Sequence, residues 1–264
     1  MKALVLRGPD PERDGVSTWR VVDICRLCEE RFGVAYSENG MLQVLHGLGL
    51  SWQKTRPRHP QADPKAQKAV RKGGLAKAVR RIVRRHPDGD VQLWFQDEAR
   101  VGQKGRNAHV WFERGIRPTA RTDKRFKSAY IYGAVRPGTD DAFALVLPRA
   151  DTAMMTLFLD AFSANLPASV HAILVLDRAG WHVTCRLATP ASISLVHLPS
   201  YSPELNPVER VWLHLKGCFL SHWVFPDTSA IVDACAKAWS DLKGEAGRIA
   251  SLTDYPYLRQ VRTL

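Results

Sequence analysis

The sequence predicts an α/β protein in which a mixed β-sheet is flanked by helices and preceded by a small helical segment and a basic linker. Three observations support this prediction. Residues 17–50 show the periodicity of two helices, residues 54–89 are dominated by positive charge, and strand-like segments begin at residue 90. Consecutive strands followed by alternating helices and strands are typical of a mixed sheet with helices on its faces.

The N-terminal segment, residues 1–53, contains the two predicted helices. The first runs from about Thr18 to Phe32, and the second follows Ser37 as its N-cap and ends at Gly47 or Gly49. Two short helices joined by a short connection have the proportions of a helix-turn-helix. An ordinary helical hairpin fits the same spacing equally well.

The overall charge points to a polyanionic partner. The chain has 264 residues, with 38 Lys and Arg against 26 Asp and Glu, a formal net charge of +12. Such an excess favours nucleic acid or an anionic membrane surface. No apolar run approaches the roughly 20 residues that span a bilayer, so we expect no membrane partner. The five cysteines are odd in number and scattered, which suits reduced thiols in a cytoplasm.

The basic linker and helix, residues 54–89, have the largest excess of positive over negative charge in the chain. Residues 54–86 contain 12 Lys and Arg but a single acid. The prolines at its start predict an extended linker, and Pro64–His86 predicts a basic helix with one apolar side. A charged run is usually a solvated face, but this imbalance favours phosphate contact. The residues expected to bind DNA are Arg56, Arg58, Lys72, Lys77, Arg80, Arg81, Arg84 and Arg85.

Residues 90–264 form the predicted sheet domain. The expected strands are DVQLWFQDEA, AHVWFERG, KSAYIYGAVRPG, DAFALVLP, VHAILVLDRA and SISLVHLP, with helices over 152–166, roughly 181–189 and after 206. Asp97 closes the first strand and Asp177 closes the buried fifth one. If these strands are parallel neighbours, both carboxylates reach one cleft at the sheet edge. Taken alone, each Asp is better explained as a turn residue or a helix N-cap.

A third acid, Glu209, follows the last predicted strand. Asn206 is a good N-cap, Pro207 suits the first helical position, and Glu209 falls at the reach-back position of a capping box. The residues alone therefore leave Glu209 open between a structural cap and a chemical role. Glu204, in the same segment, is the competing candidate.

Three motifs together resemble a known family. FQDEA at 95–99, LVLDRAGWH at 174–182 and LPSYSPELNPVERVW at 198–212 are similar to the signatures of the mariner-like bacterial transposases of the insertion sequence 630 family. The third motif is the most specific, and the resemblance runs from about residue 16 to residue 264. It implies an RNase H-like core with an acidic triad, whose catalytic and metal-binding roles fall on Asp97, Asp177 and Glu209.

The resemblance also implies the reaction. Two Mg²⁺ or Mn²⁺ ions bound by the triad, with Asp97 bridging them, suit phosphodiester cleavage because hard divalent ions prefer carboxylate oxygens. The expected activity is strand cleavage at terminal inverted repeats, followed by strand transfer into target DNA at a TA dinucleotide. The expected partner is double-stranded DNA bound by a homodimer, in the bacterial cytoplasm and associated with the nucleoid.

The chain departs from the family pattern at two places. Arg178 follows Asp177 where many relatives have Asn, so it either contacts a phosphate or weakens the site. His182 either assists a bound phosphate or water or packs beside Trp181. The family's first N-terminal helix-turn-helix is expected to be missing before residue 17, and an N-terminal-half product of the same element is the expected substitute.

Two other functions remain open at this point. A truncated, non-catalytic derivative would keep the DNA-binding surface and act as an inhibitor of transposition. An RNase H-like nuclease of repair or RNA processing would share the fold, but the third motif favours a transposase over it.

Overall fold

The computed structural model describes residues 1–16, 18–53, 61–87, 89–103, 126–221 and 223–262. The chain divides into two compact units, Met1–Arg58 and His59–Leu264. No helix in the described ranges combines the length and apolar character that crossing a membrane requires.

The first unit consists of helices, of which the two within residues 17–50 were predicted. They are α1 (Lys2–Arg7), α2 (Pro11–Asp14), α3 (Val21–Phe32) and α4 (Glu38–Gly47). Helix α3 begins three residues later than expected because Arg20 is extended and its backbone N–H donates to the Asp23 carboxylate, 3.1 Å away. The N-cap of α4 is confirmed, since Ser37 Oγ accepts from the Gly40 N–H at 3.2 Å.

The core of the first unit lies between α3 and α4. Its buried side chains are Ile24, Cys28, Met41 and Leu45. Cys28 is therefore a packing residue, and no described group of three or more His, Cys, Asp or Glu side chains is placed to hold a metal ion.

The basic segment does not form the single helix Pro64–His86 that the sequence suggested. Two helices, α5 (Pro64–Ala69) and α6 (Leu75–Val83), are joined by a π-helical turn, Val70–Gly74. The helix is kinked because Lys72 and Gly73 leave helical geometry, and Gly73 takes φ 110°, which glycine tolerates. The apolar side of α6 is buried in the core of the second unit.

The second unit is built on a five-stranded mixed sheet, so the predicted fold class is confirmed. The strands are β1 (Asp90–Gly102), β2 (Ser128–Val135), β3 (Ala142–Leu147), β4 (Val170–Leu176) and β5 (Ile193–His197). Their order is β3-β2-β1-β4-β5. The pairs β1–β2 and β2–β3 are antiparallel, whereas β1–β4 and β4–β5 are parallel. The predicted strand at 108–115 lies outside the described residues.

Helices cover both faces of the sheet. They are α7 (Thr152–Asn165), α8 (Val208–Cys218), α9 (Thr228–Gly244), α10 (Arg248–Leu252) and α11 (Pro256–Arg262), with a 3-10 turn at Pro203–Leu205. Because side chains alternate along a strand, Phe95 points to the face covered by α6, α8 and α9, and Trp94 points to α7.

The short helix predicted at 181–189 is absent, and this segment forms turns. Two causes are visible. The β-branched pair Val183 and Thr184 has low helix propensity, and the His182 side chain is held by two carboxylates, which fixes the chain direction there.

Helix α8 lies close to the sheet at Gly133 of β2. A Cβ atom at Gly133 would lie 2.5 Å from Cη2 and 3.0 Å from Cζ2 of Trp212, distances that a side chain cannot occupy. Gly133 is also the register partner of Asp97. The missing side chain thus admits the Trp212 ring beside Asp97.

Replacing Gly133 by Ala is expected to destabilise the protein by about 1–3 kcal/mol, because the Trp212 ring must move out of a packed core. Urea denaturation followed by circular dichroism measures this. The control is Gly217→Ala on the exposed part of α8, where a Cβ meets nothing within 4 Å and a gain of about 0.5–1 kcal/mol is expected. Equal stability of Gly133→Ala and wild type would contradict the close approach.

Candidate active site

The three predicted acids line one cavity of about 350 Å³ in the second unit. Asp97 and Asp177 each come two residues after the parallel pair Phe95 and Val175, so the sheet register places them side by side. Glu209 enters from α8, after β5. Asp97 does not close β1 as predicted, because the strand continues to Gly102 beside β2. It follows the last residues of β1 that pair with β4, so the point where the parallel pairing ends meets a helix start, as is usual for ligand sites in such sheets.

Asp97 is a partly buried carboxylate that Trp212 contacts from α8. Its Oδ2 accepts from Trp212 Nε1 at 3.1 Å. Burial, and then repulsion by Glu209, Glu98 and Asp177, raises the pKa of Asp97 well above its ordinary value. Its charged form is therefore costly unless a positive charge arrives.

Asp177 is held from one side. Its Oδ1 accepts from the Ala179 N–H at 2.9 Å and from His182 Nδ1 at 2.7 Å. Burial alone would raise the pKa of Asp177, but these hydrogen bonds outweigh it and the pKa is lowered. Both bonds use the same oxygen, so Oδ2 takes part in neither.

His182 bridges two acids and is only 3% exposed. Its Nε2 donates to Glu98 Oε1 at 2.9 Å while Nδ1 donates to Asp177. Burial acts to lower the pKa of His182, yet these two partners raise it to about 9. The ring also meets Trp181 edge-on at 5.7 Å, so the packing contact foreseen from the sequence coexists with the two polar ones.

Glu209 is the second residue of α8. The N-cap of this helix is Pro207, one residue later than predicted, so Asn206 lies just before the cap. Asn206 Oδ1 accepts from the Val208 N–H at 3.2 Å, and its Nδ2 donates to the Gln96 carbonyl at 3.0 Å. The capping box is not formed, because the described hydrogen bonds include none from the Asn206 backbone N–H to the Glu209 carboxylate. Burial raises the pKa of Glu209, Lys216 opposes this, and Asp177 adds to it.

The neighbouring glutamate lies elsewhere. Glu204, in the 3-10 turn, faces Arg71 with 4.0 Å between Oε1 and Nη2 and does not line the cavity. Of the two glutamates in the motif, only Glu209 shares the cavity with Asp97 and Asp177.

Arg178 lies at the same cavity and is exposed. Its Nε donates to the Leu198 carbonyl at 3.2 Å, which ties the segment after β4 to the end of β5. The guanidinium is therefore anchored at the rim of the acidic cavity.

The predicted DNA-binding residues fall into two groups. Lys72, Lys77, Arg80, Arg81, Arg84 and Arg85 are all exposed. Those on the outer side of α6 line a second cavity, of about 520 Å³. Arg56 and Arg58 lie outside the described residues.

The donor set of the first cavity fits a hard divalent cation. The side chains are not already gathered around a common point, since the described residues include no such cluster of three. Three carboxylates nevertheless share one cavity, and burial makes the charges of Asp97 and Glu209 costly. A bound Mg²⁺ or Mn²⁺ would remove that cost and would find the oxygen ligands it prefers.

Sequence reasoning missed several residues that shape the site. Trp212 donates to Asp97, Gly133 leaves room for the Trp212 ring, and His182 hydrogen-bonds to both Glu98 and Asp177. The spacing of Trp212 three residues after Glu209 was an available signal, since i and i+3 share a helix face. Gly133 offered no signal without the register of β1 and β2.

The chain is similar to two protein families and to two known proteins. Residues 92–232 match the DDE superfamily endonuclease family, and residues 15–73 match a winged helix-turn-helix family. The chain is 44% identical over 124 residues to the uncharacterized protein y4pE/y4sA of Sinorhizobium fredii, covering 47% of this chain and 92% of that protein. It is 20% identical over 260 residues to the uncharacterized 39 kDa protein of insertion element IS630 of Shigella sonnei, covering 97% and 71%.

Solved structures share the fold. The Mos1 mariner paired-end complex with Mn superposes with a TM-score of 0.60 at 14% identity, covering 98% of this chain and 76% of that one. The Mos1 strand transfer complex gives 0.58 at 13% identity, covering 92% and 76%. These likenesses bear out the RNase H-like fold. Together with the family matches and the IS630 relative, they bear out the predicted resemblance to mariner-like and IS630 transposases. With more than half of its length matched, this chain belongs to the DDE superfamily endonuclease family.

Proposed function

We propose that this protein is a metal-dependent DNA transposase that cuts at terminal inverted repeats and joins the freed ends to target DNA at a TA dinucleotide. The observation that carries the proposal is the meeting of Asp97, Asp177 and Glu209 in one cavity of a DDE-family endonuclease. Such an arrangement of acids suits phosphodiester chemistry better than packing.

The three carboxylates would hold two Mg²⁺ or Mn²⁺ ions, which supply charge neutralisation and nucleophile activation when bound. The chain's own residues prepare the carboxylates. Trp212 fixes one oxygen of Asp97, and His182 with the Ala179 N–H fixes one oxygen of Asp177. We assign His182 a positioning role, because its buried ring contacts the carboxylates and not the cavity.

The substrate phosphate would approach past Arg178. This guanidinium stands at the rim of a cavity whose other charged lining residues are all acids, so it offers the scissile phosphate a compensating charge. The same cavity would serve two reactions. Water is the nucleophile when the element end is cut, and the liberated 3′ hydroxyl is the nucleophile when the end is joined to target DNA.

The basic face of α6 would hold the DNA backbone. Its apolar side is locked in the core, so its exposed arginines are presented on a rigid helix. We further propose a homodimer on DNA, since transposition brings two ends together, and an N-terminal-half product of the same element as a second partner. This assembly would act on DNA in the bacterial cytoplasm.

Replacing Glu209 by Gln is expected to lower cleavage at least about 100-fold, because a neutral amide cannot replace a charged metal ligand. The assay is nicking of a labelled duplex copy of the terminal repeat that borders this reading frame, in Mn²⁺. Glu204→Gln is the matched control and should cleave like wild type.

Three outcomes separate the functions. Cleavage surviving Glu209→Gln removes Glu209 from the triad. An equal loss of cleavage in Glu204→Gln shows that cleavage depends on negative charge near α8 more than on metal binding by Glu209. A wild type that binds the repeat but never nicks it, in Mg²⁺ or Mn²⁺, favours the non-catalytic inhibitor.

Neutralising Arg80, Arg81, Arg84 and Arg85 together is expected to flatten the salt dependence of DNA affinity. Removing one cation that binds a phosphate lowers the slope of log K against log salt by about 0.9. Fluorescence anisotropy between about 50 and 300 mM salt, concentrations of the order used for such slopes, measures it. The control neutralises four exposed cations elsewhere: Arg149, Arg186, Lys237 and Lys243. Equal slopes for the two quadruple variants would exclude α6 from the interface.

A further inference from the structure

Glu98 is a buried acid beside the active site to which the proposed reaction assigns no role. It follows Asp97 on β1, and because side chains alternate along a strand, the two carboxylates project from opposite faces of the sheet. The Glu98 side chain is 9% exposed, and the described lining of the cavity that holds the three acids does not include it. A buried carboxylate is costly unless donors hold it, so the partners of Glu98 indicate what it does.

Two side chains lie within hydrogen-bond distance of the same oxygen of Glu98. Gln96 Nε2 donates to Oε1 at 2.9 Å, and His182 Nε2 lies 2.9 Å from the same atom. Gln96 is fully buried, and its own Oε1 has no hydrogen-bond partner among the described residues. Leaving a buried oxygen unpartnered costs about 1–3 kcal/mol, which the hydrogen bond to Glu98 partly offsets.

The two partners of His182 determine how many hydrogens its ring carries. Nε2 faces Glu98 Oε1, and Nδ1 faces Asp177 Oδ1 at 2.7 Å. An ionised carboxylate only accepts hydrogen bonds, so both ring nitrogens must carry a hydrogen for the two bonds to form together. A neutral imidazole has a single N–H and could donate to one acid only. The negative charge of Glu98 therefore stabilises the doubly protonated ring that donates to Asp177.

These hydrogen bonds run from the protein interior to the cavity. The exposed fraction of the side chain is 1% for His182 and 9% for Glu98 but 55% for Asp177. Asp177 is held through Oδ1, which accepts from His182 and also from the Ala179 N–H at 2.9 Å. Both of these bonds leave the Oδ2 atom of Asp177 to a cation. A buried pair of side chains thus fixes the direction of a carboxylate that is itself exposed in the cavity.

We propose that Glu98 is a positioning residue for the metal site, and that through His182 it orients Asp177 so that Oδ2 of Asp177 binds the cation. This inference rests on the proposed function and adds to it a role for a fourth acid. Glu98 itself contacts neither the metal ion nor the DNA. Replacing a hydrogen-bond partner of a ligating carboxylate typically changes metal affinity or activity by about 10- to 100-fold.

Glu98→Gln tests this role with almost no change in the size of the side chain. The amide oxygen can still accept a hydrogen bond, but the negative charge that stabilises doubly protonated His182 is lost. Mn²⁺ binding by the DNA-free protein is expected to weaken about 10- to 100-fold, measured by electron paramagnetic resonance of unbound Mn²⁺. Cleavage of the terminal repeat should require correspondingly more Mn²⁺. It should approach the wild-type rate at saturating Mn²⁺, because no metal ligand has been removed.

Glu245→Gln is the matched control. Glu245 Oε2 lies 3.5 Å from His214 Nε2, so this variant also neutralises a glutamate beside a histidine, but outside the described lining of the cavity. It should bind Mn²⁺ and cleave the repeat as wild type does. Thermal unfolding of both variants shows whether a change in Mn²⁺ binding reflects a loss of fold.

A double-mutant cycle separates positioning from direct metal binding. If Glu98 acts through His182, adding Glu98→Gln to His182→Gln should weaken Mn²⁺ binding by at most about twofold more, because the connection to Asp177 is already broken. If Glu98 is itself a metal ligand, the two losses should multiply, and the inference is overturned.

A measurement on wild type keeps the inference testable if Glu98→Gln does not fold. Nuclear magnetic resonance of metal-free protein with nitrogen-15 histidine should show a hydrogen on each ring nitrogen of His182. The signals are assigned through contacts with the Trp181 ring, which meets the imidazole edge-on. A single ring N–H on His182 would overturn the inference, because the two acids would then not be joined through the ring.

The remaining outcomes separate this inference from the proposed function. If wild type binds Mn²⁺ and cleaves the repeat while Glu98→Gln behaves like Glu245→Gln, the positioning role is wrong and the proposed function stands. If cleavage by Glu98→Gln stays slow at saturating Mn²⁺, Glu98 acts in the chemical step and the positioning role is again wrong. If wild type neither binds Mn²⁺ nor cleaves the repeat, the proposed function falls, and this inference with it.

Discussion

The site depends on how helix α8 is fastened to strand β1. Asn206 donates to the Gln96 carbonyl, and Trp212 donates to the neighbouring Asp97 carboxylate. Glu209 lies three residues from each of these contacts, so its place on the helix is fixed from both sides. Gly133, opposite Asp97, leaves the room that the Trp212 ring needs. One packed contact thus orients two acids that are 112 positions apart in the sequence.

The second unit carries positive and negative charge on different surfaces. The outer face of α6 is positive and exposed, whereas the cavity contains carboxylates. Burial, and to a smaller degree their mutual repulsion, raises the pKa of Asp97 and Glu209. His182 compensates one side of the cluster, since Asp177 and Glu98 together raise its pKa to about 9. A DNA backbone is attracted by the first surface and repelled by the second until a cation neutralises it. This division explains why one chain can be strongly basic overall and acidic at the point of reaction.

Sequence reasoning predicted the sheet domain because strand periodicity is a local signal, although it ended β1 too early and Asp97 lies inside that strand. It placed Asp97 and Asp177 together only on the condition that their strands are parallel neighbours, which the β1–β4 register satisfies. The kink at Gly73 and the turns that replace the helix at 181–189 were missed, because each is decided by contacts or glycine conformation beyond the periodic pattern. The hydrogen bond of Trp212 and the positive φ of Tyr201 were not predicted, because a single sequence shows neither a contact with a distant strand nor a backbone angle.

The central claim is that Asp97 is positioned to bind a cation, and that its negative charge lowers the stability of the protein when no cation is bound. Thermal unfolding of wild type and Asp97→Asn, each with and without Mn²⁺, tests it most directly. Without metal, Asp97→Asn should unfold a few degrees higher, at about 2–4 °C per kcal/mol of repulsion relieved. Mn²⁺ should then raise the midpoint of wild type, by mass action, and leave the variant nearly unchanged. The account is contradicted if Asp97→Asn unfolds at a lower temperature than wild type without metal and if Mn²⁺ raises its unfolding midpoint as much as that of wild type.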